Sequence, residues 1–125
     1  MLTLKTLILE CRNVRELLTF YQGLLGWPVV FDEETFVRIQ CPETGMGLAF
    51  QLDEDYAPPV WPTEPGMQQM MAHLDFAVAD ATELQAMTEK ALSLGAARAQ
   101  AQYGGNDWIT LLDPAGHPFC LVIWD

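Results

Sequence analysis

Basic residues are scarce in this chain, which has 6 lysines and arginines against 17 aspartates and glutamates, giving a net charge of −11. A surface of this kind repels the phosphate backbone of nucleic acids and the headgroups of anionic membranes. We therefore expect neither nucleic acid nor a membrane as a partner. An acidic surface attracts cations. The alternative is that this charge only keeps the protein soluble.

The chain also lacks the sequence features of several other protein classes. Its three cysteines, Cys11, Cys41 and Cys120, form no CxxC pair, as is typical of free thiols in a reducing compartment. The apolar runs are shorter than a membrane span, and no secretory signal pattern is visible. There is no nucleophile elbow, phosphate-binding glycine loop or Ser/His/Asp constellation. These features predict a cytoplasmic protein.

Half of the 125 residues are hydrophobic, which suits one packed domain over residues 1–125. Within it the pattern predicts an N-terminal module over residues 1–53 and a C-terminal module over residues 73–125. Residues 54–72 are rich in proline, so we expect a linker without regular structure there.

The first module begins with a predicted strand over residues 2–10, whose nearly continuous apolar pattern predicts that both of its faces are covered. Asn13 then has Glu16 at the spacing of a capping box, and Gly26 ends the helix that they begin. Three short strands are predicted next, over residues 28–31, 36–40 and 47–52.

The second module repeats this order. A strand over residues 73–79 leads to Asp80, which is placed to cap a helix over residues 81–94 that Gly95 ends. Strands are predicted next over residues 97–101, 108–112 and 119–124. The order βαβββ therefore occurs twice, as an internal duplication of architecture, and it predicts an α+β fold.

A set of short motifs, in this order and spacing, is similar to a known superfamily. The motifs are Phe20-Tyr21, Leu24-Leu25-Gly26-Trp27, His73-Leu74-Asp75-Phe76-Ala77-Val78-Ala79-Asp80, Leu94-Gly95-Ala96, Asp113-Pro114-Ala115-Gly116 and Phe119-Cys120-Leu121. Together they resemble the vicinal oxygen chelate superfamily, which includes glyoxalase I, fosfomycin-resistance proteins, extradiol dioxygenases and bleomycin-resistance proteins. Within it, the chain resembles the small glyoxalase-like domains. The resemblance implies two βαβββ modules whose curved mixed sheets form a cleft, and a homodimer.

The resemblance also implies where a metal would bind. Metal-using members take His, Glu or Gln ligands from the first and last strands of each module. His73 has the right type and place, but Thr6, Ala49 and Cys120 stand at the other ligand positions. We therefore expect no cofactor, with a divalent metal on His73 as the alternative.

Strand alternation groups side chains of both modules on faces that could line the cleft. The predicted ligand-binding residues are Thr6, Glu10, Gln51, Trp61, His73, Asp75, Trp108, Cys120 and Trp124. For Trp61 and Trp108, packing against the core is the alternative to contact with a ligand. His73 has three interpretations: a buried structural histidine, a group that orients a ligand, or a general base tuned by Asp75 or Glu10.

Two functions are compatible with these residues, beside a structural or regulatory dimer with a vestigial cleft, and whether the chain is an enzyme stays open. The first is a small-molecule-binding protein with a degenerate metal site, which sequesters a cationic or aromatic compound as bleomycin-resistance proteins do. The second is a metal-dependent lyase or dioxygenase that uses His73.

Overall fold

The computed structural model describes residues 1–124, which form two compact units, residues 1–56 and 57–124. The elements of the first unit are β1 (Thr6–Cys11), α1 (Val14–Leu25), β2 (Val29–Asp32), β3 (Phe36–Gln40) and β4 (Gly47–Leu52). The elements of the second unit are β5 (Leu74–Val78), α2 (Ala81–Ser93), β6 (Ala97–Arg98), β7 (Trp108–Leu112) and β8 (Pro118–Ile123). The predicted α+β fold with the order βαβββ in each half is confirmed.

Each unit has one four-stranded mixed sheet, with the strand order β1-β4-β3-β2 in the first and β5-β8-β7-β6 in the second. The first and last strands of each unit are parallel neighbours, and the remaining pairs are antiparallel. Residues far apart in the sequence are therefore placed side by side at one edge of each sheet, where β1 pairs with β4 and β5 with β8. Within residues 1–124, neither helix has the length and hydropathy needed to cross a bilayer.

Local capping sets the bounds of α1 as the sequence predicts. The Asn13 side chain accepts a hydrogen bond from the Glu16 backbone N–H at 3.0 Å, which satisfies a donor that the first turn leaves without an intrahelical partner. At the other end Gly26 adopts φ 70°, a left-handed conformation that suits glycine, and its N–H donates to the Gln22 carbonyl.

One face of the first sheet packs against α1. Val37, Ile39 and Phe50 are fully buried on this face, and Tyr21 of the helix stacks on Phe50 with ring centroids 5.5 Å apart. Burial of such aromatic side chains contributes strongly to a small core. We call the opposite side of each sheet, which does not pack against the unit's helix, the far face.

The second unit is built in the same way around a core with smaller helix side chains. Asp80 caps α2 by accepting from the Glu83 N–H at 2.9 Å. Helix α2 packs on β8 and β7, and its buried side chains are Leu84, Thr88 and Ala91. In the sheet, Phe76 contacts Phe119 edge-to-face at 6.0 Å.

The turn between β7 and β8 depends on one buried carboxylate. Asp113, only 4% exposed, accepts hydrogen bonds from the backbone N–H groups of Ala115 and His117. Gly116 has φ 90°, which a residue with a side chain rarely adopts. This segment therefore forms the turn that sets the alignment of β8 against β7.

The predicted bounds of three strands are clearly wrong, and the ends of two others, predicted over residues 28–31 and 73–79, differ by one residue. The first strand starts at Thr6 rather than at residue 2. Ile8 is 49% exposed, so one of the two faces of this strand is not covered. Apolar continuity was a poor guide there, because Leu2 and Leu4 are exposed ahead of the strand. The strand predicted over residues 97–101 ends at Arg98, and β8 ends before Trp124, which lies exposed beyond the strand.

Candidate functional site

The far face of the second sheet brings together three side chains that can bind a metal. Asp75 on β5 stands directly opposite Cys120 on β8 in the strand register. His73 precedes β5 by one residue and lies two residues before Asp75, so its side chain points to the same face. One ligand atom from each of the three residues lies within 4.8 Å of the others.

Within this cluster, His73 Nε2 lies 3.3 Å from Asp75 Oδ1. Neighbouring positions on one strand face are usually farther apart, so this contact depends on both side chains leaning toward each other. Each side chain is about one-third exposed, at 34% and 33%. His73 is therefore not a buried structural histidine, which was one of its three interpretations.

Cys120 is the buried member of the cluster, at 3% exposed. Its pKa is raised above the ordinary value for a thiol by burial, and the carboxylate of Asp75 adds to this rise; the hydrogen bond with Thr110 opposes it. Sγ of Cys120 and Oγ1 of Thr110 are 3.3 Å apart. The thiol is therefore protonated at neutral pH, which excludes Cys120 as a ready nucleophile.

Two aromatic side chains stand beside His73. Trp61 donates its indole N–H to the Ala101 carbonyl at 3.0 Å, which fixes the ring. The edge of that ring meets His73 at 5.9 Å between centroids, and Tyr103 lies 6.1 Å away on a tilted plane. Tyr103 is 61% exposed. Trp61 thus combines packing with a position next to His73, and the linker segment supplies an aromatic wall.

The other two predicted tryptophans lie differently. Trp108 starts β7, and its indole lies against Gly104 so closely that a methyl group there would overlap the ring and the Trp108 carbonyl. Trp108 therefore packs against backbone, and its contact with a ligand stays a prediction. Trp124 follows β8 and is exposed.

The remaining predicted site residues lie on the far face of the first sheet. Thr6 pairs with Gly47, and Glu10 pairs with Gln51 in the register of β1 and β4. The pKa of Glu10 is raised above its ordinary value by a hydrogen bond with Asp53, and by partial burial and the charge of Asp53. A single cleft that joins these residues to those of the second unit stays a prediction.

Three residues of interest were missed by the sequence reasoning: Arg38, Tyr103 and Thr110. Arg38 donates to the Thr6 hydroxyl at 2.7 Å, and Thr110 contacts Cys120 across the sheet. Both contacts depend on cross-strand register. The alternation of Val37 and Ile39 with polar neighbours was the available signal, because it assigns Arg38 to the face of Thr6.

The donor set of the cluster fits one group of metal ions. Cys120 supplies sulfur, His73 nitrogen and Asp75 oxygen, a mixture that suits Zn²⁺ and similar transition ions rather than Ca²⁺ or Mg²⁺. Three protein ligands with an open position are what a catalytic zinc site has. The Thr110 hydroxyl could donate to a thiolate, as an outer hydrogen-bond partner. Binding would have to displace the thiol proton, which the raised pKa of Cys120 opposes.

Residues 6–122 match the family model described as a glyoxalase-like domain. A search of curated protein sequences finds no match.

Among solved structures, a protein from Agrobacterium tumefaciens solved by solution NMR has a TM-score of 0.75 at 22% identity, over 100% of this chain and 99% of that chain. A glyoxalase/bleomycin resistance protein/dioxygenase family enzyme from Burkholderia phytofirmans PsJN has a TM-score of 0.73 at 16% identity, over 96% and 97%. A lactoylglutathione lyase from Agrobacterium tumefaciens has a TM-score of 0.66 at 13% identity, over 97% and 92%. Identities this low show a shared fold.

Proposed function

Because the chain belongs to the glyoxalase-like domain family of the vicinal oxygen chelate superfamily, we propose that it binds a small organic cation that carries an aromatic ring. The site is the far face of the second unit. The observation that carries the proposal is the grouping of a part-exposed carboxylate, Asp75, with Trp61, His73 and Tyr103.

The physical basis is complementarity of charge and shape. A cation over an indole or phenol ring gains about 0.5–1 kcal/mol at an exposed site and more when desolvated. Asp75 supplies a negative charge next to these rings. The net charge of −11 raises the local concentration of cations around the whole chain.

Calorimetric titration with bleomycin and with benzyltrimethylammonium tests the proposal. We expect saturable binding that strengthens as salt is lowered, because screening weakens. Asp75→Asn and Trp61→Leu should each weaken binding by roughly tenfold, which corresponds to about 1.4 kcal/mol. Glu89→Gln, on the exposed surface of α2, makes the same change of charge and should leave affinity within about twofold. No binding at low salt, or equal effects of Asp75→Asn and Glu89→Gln, would contradict it.

The second candidate is a metal-dependent enzyme, which the grouping of His73, Asp75 and Cys120 favours. These three residues would hold the ion. A bound divalent ion would act as a Lewis acid toward a substrate with two vicinal oxygens, as lyase chemistry requires. Dioxygenase chemistry would require a redox-active ion such as Fe²⁺ in the same place. In this state the protein residues would orient the substrate, and Trp61 would shield one side of it.

Spectroscopy with Co²⁺ separates the two candidates. If the cluster binds metal, the wild type should show a thiolate-to-cobalt absorption band that disappears in Cys120→Ser and His73→Ala. Cys41→Ser is the matched control, since Cys41 lies in the turn after β3, away from the cluster in sequence and sheet, and it should keep the band. A wild type without the band, and without stabilisation by Zn²⁺, would remove the enzyme candidate.

The homodimer and the cytoplasmic location expected from the sequence remain proposals. Light scattering during size-exclusion chromatography tests the first: a mass near 28 kDa, about twice that of the 14.0 kDa chain, would support it. A mass of one chain at micromolar concentration would contradict it.

A further inference from the structure

On the far face of the first sheet, Arg38 is held in place by three neutral acceptors. Its Nε donates to the Thr6 hydroxyl at 2.7 Å, Nη1 to the Gln40 side-chain oxygen at 2.6 Å, and Nη2 to the Lys5 carbonyl at 3.1 Å. These partners come from the start of β1 and from β3 itself. The guanidinium is therefore fixed by hydrogen bonds from more than one side.

Gly47 makes room for this arrangement. A methyl group at Gly47 would overlap Nε, Cζ and Nη2 of Arg38, so the guanidinium lies flat against the backbone of β4. Gly47 does not have a positive φ, and the close approach of the side chain is the physical reason for glycine at this position.

Arg38 has no carboxylate partner among residues 1–124. Arg15, in the same unit, shows the ordinary arrangement, an ion pair with Asp32. Arg38 instead donates to oxygens without charge. Its positive charge is thus left uncompensated in a chain whose net charge is −11.

The groups around this charge have hydrogen-bond donors left over. A guanidinium has five N–H groups, and three of Arg38's form the bonds described. Thr6 and Gln40 both use their side-chain oxygens to accept from Arg38, so the hydroxyl O–H of Thr6 and the amide NH₂ of Gln40 remain as donors. Spare donors next to a positive charge held in place suit the binding of an oxyanion.

We propose that Arg38, with Thr6 and Gln40, forms a binding site for a small oxyanion, a carboxylate or a phosphate group, on the far face of the first unit. Both groups present two or more oxygens in a geometry that a guanidinium can bind through parallel N–H bonds. The site is independent of the cation-binding proposal for the second unit, and either can fail alone.

Titration with sodium phosphate and, separately, with sodium acetate tests the site, at constant ionic strength maintained with sodium chloride. The readout is the ¹H–¹⁵N spectrum of the full chain, including the arginine Nε–H signals. We expect saturable shifts of the Arg38 Nε–H and of the Thr6 and Gln40 amide signals. Whichever of the two anions binds more tightly identifies the group that the site prefers.

Two variants locate the effect, and two others show whether geometry matters. Arg38→Gln should weaken binding at least tenfold, whereas Arg15→Gln, which removes an arginine that is already paired, should leave it unchanged. Thr6→Val should weaken binding about threefold to tenfold, in line with the loss of one hydrogen bond. Arg38→Lys keeps the charge without the planar fork and should bind more weakly than the wild type.

Circular dichroism of each variant checks that the fold is retained, and Arg38→Lys provides the comparison if Arg38→Gln unfolds. Shifts that rise linearly with both anions, or that Arg38→Gln and Arg38→Lys leave unchanged, would overturn the proposal. Equal loss in Arg15→Gln would overturn it as well, because it would show only a general effect of charge.

Discussion

Position for position, the first unit has Thr6, Arg38 and Ala49 where the second has His73, Thr110 and Cys120. The strand registers make these pairs equivalent, since Arg38 stands opposite Ala49 as Thr110 stands opposite Cys120. One far face therefore holds an uncompensated guanidinium, and the other holds a cluster of potential metal ligands. The helix-packed faces of both sheets are apolar. The helix-packed face therefore maintains this fold, whereas the far face can hold different binding or catalytic residues in each unit.

The largest expected effect comes from comparing the helix-packed face and the far face of the first sheet. Phe50→Ala should lower the free energy of unfolding by about 3–5 kcal/mol, because it opens a cavity under the stacked Tyr21 ring. Ile8→Ala, on the far face of the neighbouring strand, should cost no more than about 1 kcal/mol. Urea unfolding measures both values. Similar losses would show that the far face supports the fold as much as the helix-packed face does.

A smaller loss of stability is expected at the glycine whose missing side chain makes room for Arg38. Gly47→Ala should destabilise the chain by about 1–3 kcal/mol, because the added methyl group displaces the Arg38 guanidinium from its three partners. In an Arg38→Ala background the same change should cost less than about 0.5 kcal/mol. A double-mutant cycle measured by urea unfolding gives the coupling. If Gly47→Ala costs the same in that background, its effect on stability does not come from displacing Arg38.

The helix caps offer a test of what the units share. Asn13→Ala and Asp80→Ala each remove a hydrogen bond to the backbone N–H three residues later. Each should cost about 1 kcal/mol in thermal or urea unfolding. Because the two capping hydrogen bonds have nearly the same length, 3.0 and 2.9 Å, the two losses should agree within about 0.5 kcal/mol. A much larger loss at one end would show that the units depend unequally on their helices.

The smallest effect concerns Glu10, whose counterpart in the second unit is Ala77. The pKa of Glu10 is raised in the folded chain by Asp53, so its contribution to stability is full below the unfolded pKa near 4.5 and is lost as pH rises through the folded pKa. Glu10→Gln should therefore raise stability at pH 7, by less than about 1 kcal/mol because the side chain is partly solvated.

Unfolding free energies of wild type and Glu10→Gln, followed from pH 7 down to pH 3.5, check the sign. The two curves should converge as Glu10 becomes protonated. Asp53→Asn should abolish most of the difference, since it removes the neighbour that raises the pKa. A variant that is less stable at pH 7 would contradict the assignment.

The sequence predicted the features of this fold that depend on local interactions. Asn13, Gly26 and Asp80 act as predicted because capping involves residues within one turn of each other. The strand over residues 36–40 was also predicted with the right bounds. The wrong start at residue 2 has a different cause, because an apolar stretch ahead of a strand has the same pattern as the strand itself.

The candidate site was less accessible from the sequence. His73 and Cys120 were marked by resemblance, and Asp75 by alternation, but their meeting within 4.8 Å depends on the register of β5 with β8. Arg38 was missed because two of its three partners, Thr6 and the Lys5 carbonyl, lie far away in the sequence, at the start of β1. Charge alone could not distinguish it from Arg15, which is paired on the surface.

The parallel pairing of β5 with β8 has a consequence for how the site comes into being. Asp75 is made early in the second unit and Cys120 near its end, so no local contact can bring them together. Pairings between segments so distant in sequence form late and slowly in folding. The cluster at His73 therefore exists only once the last strand has docked. A nascent or truncated chain that lacks β8 would retain His73 and Asp75 but could not offer their third partner to any ligand.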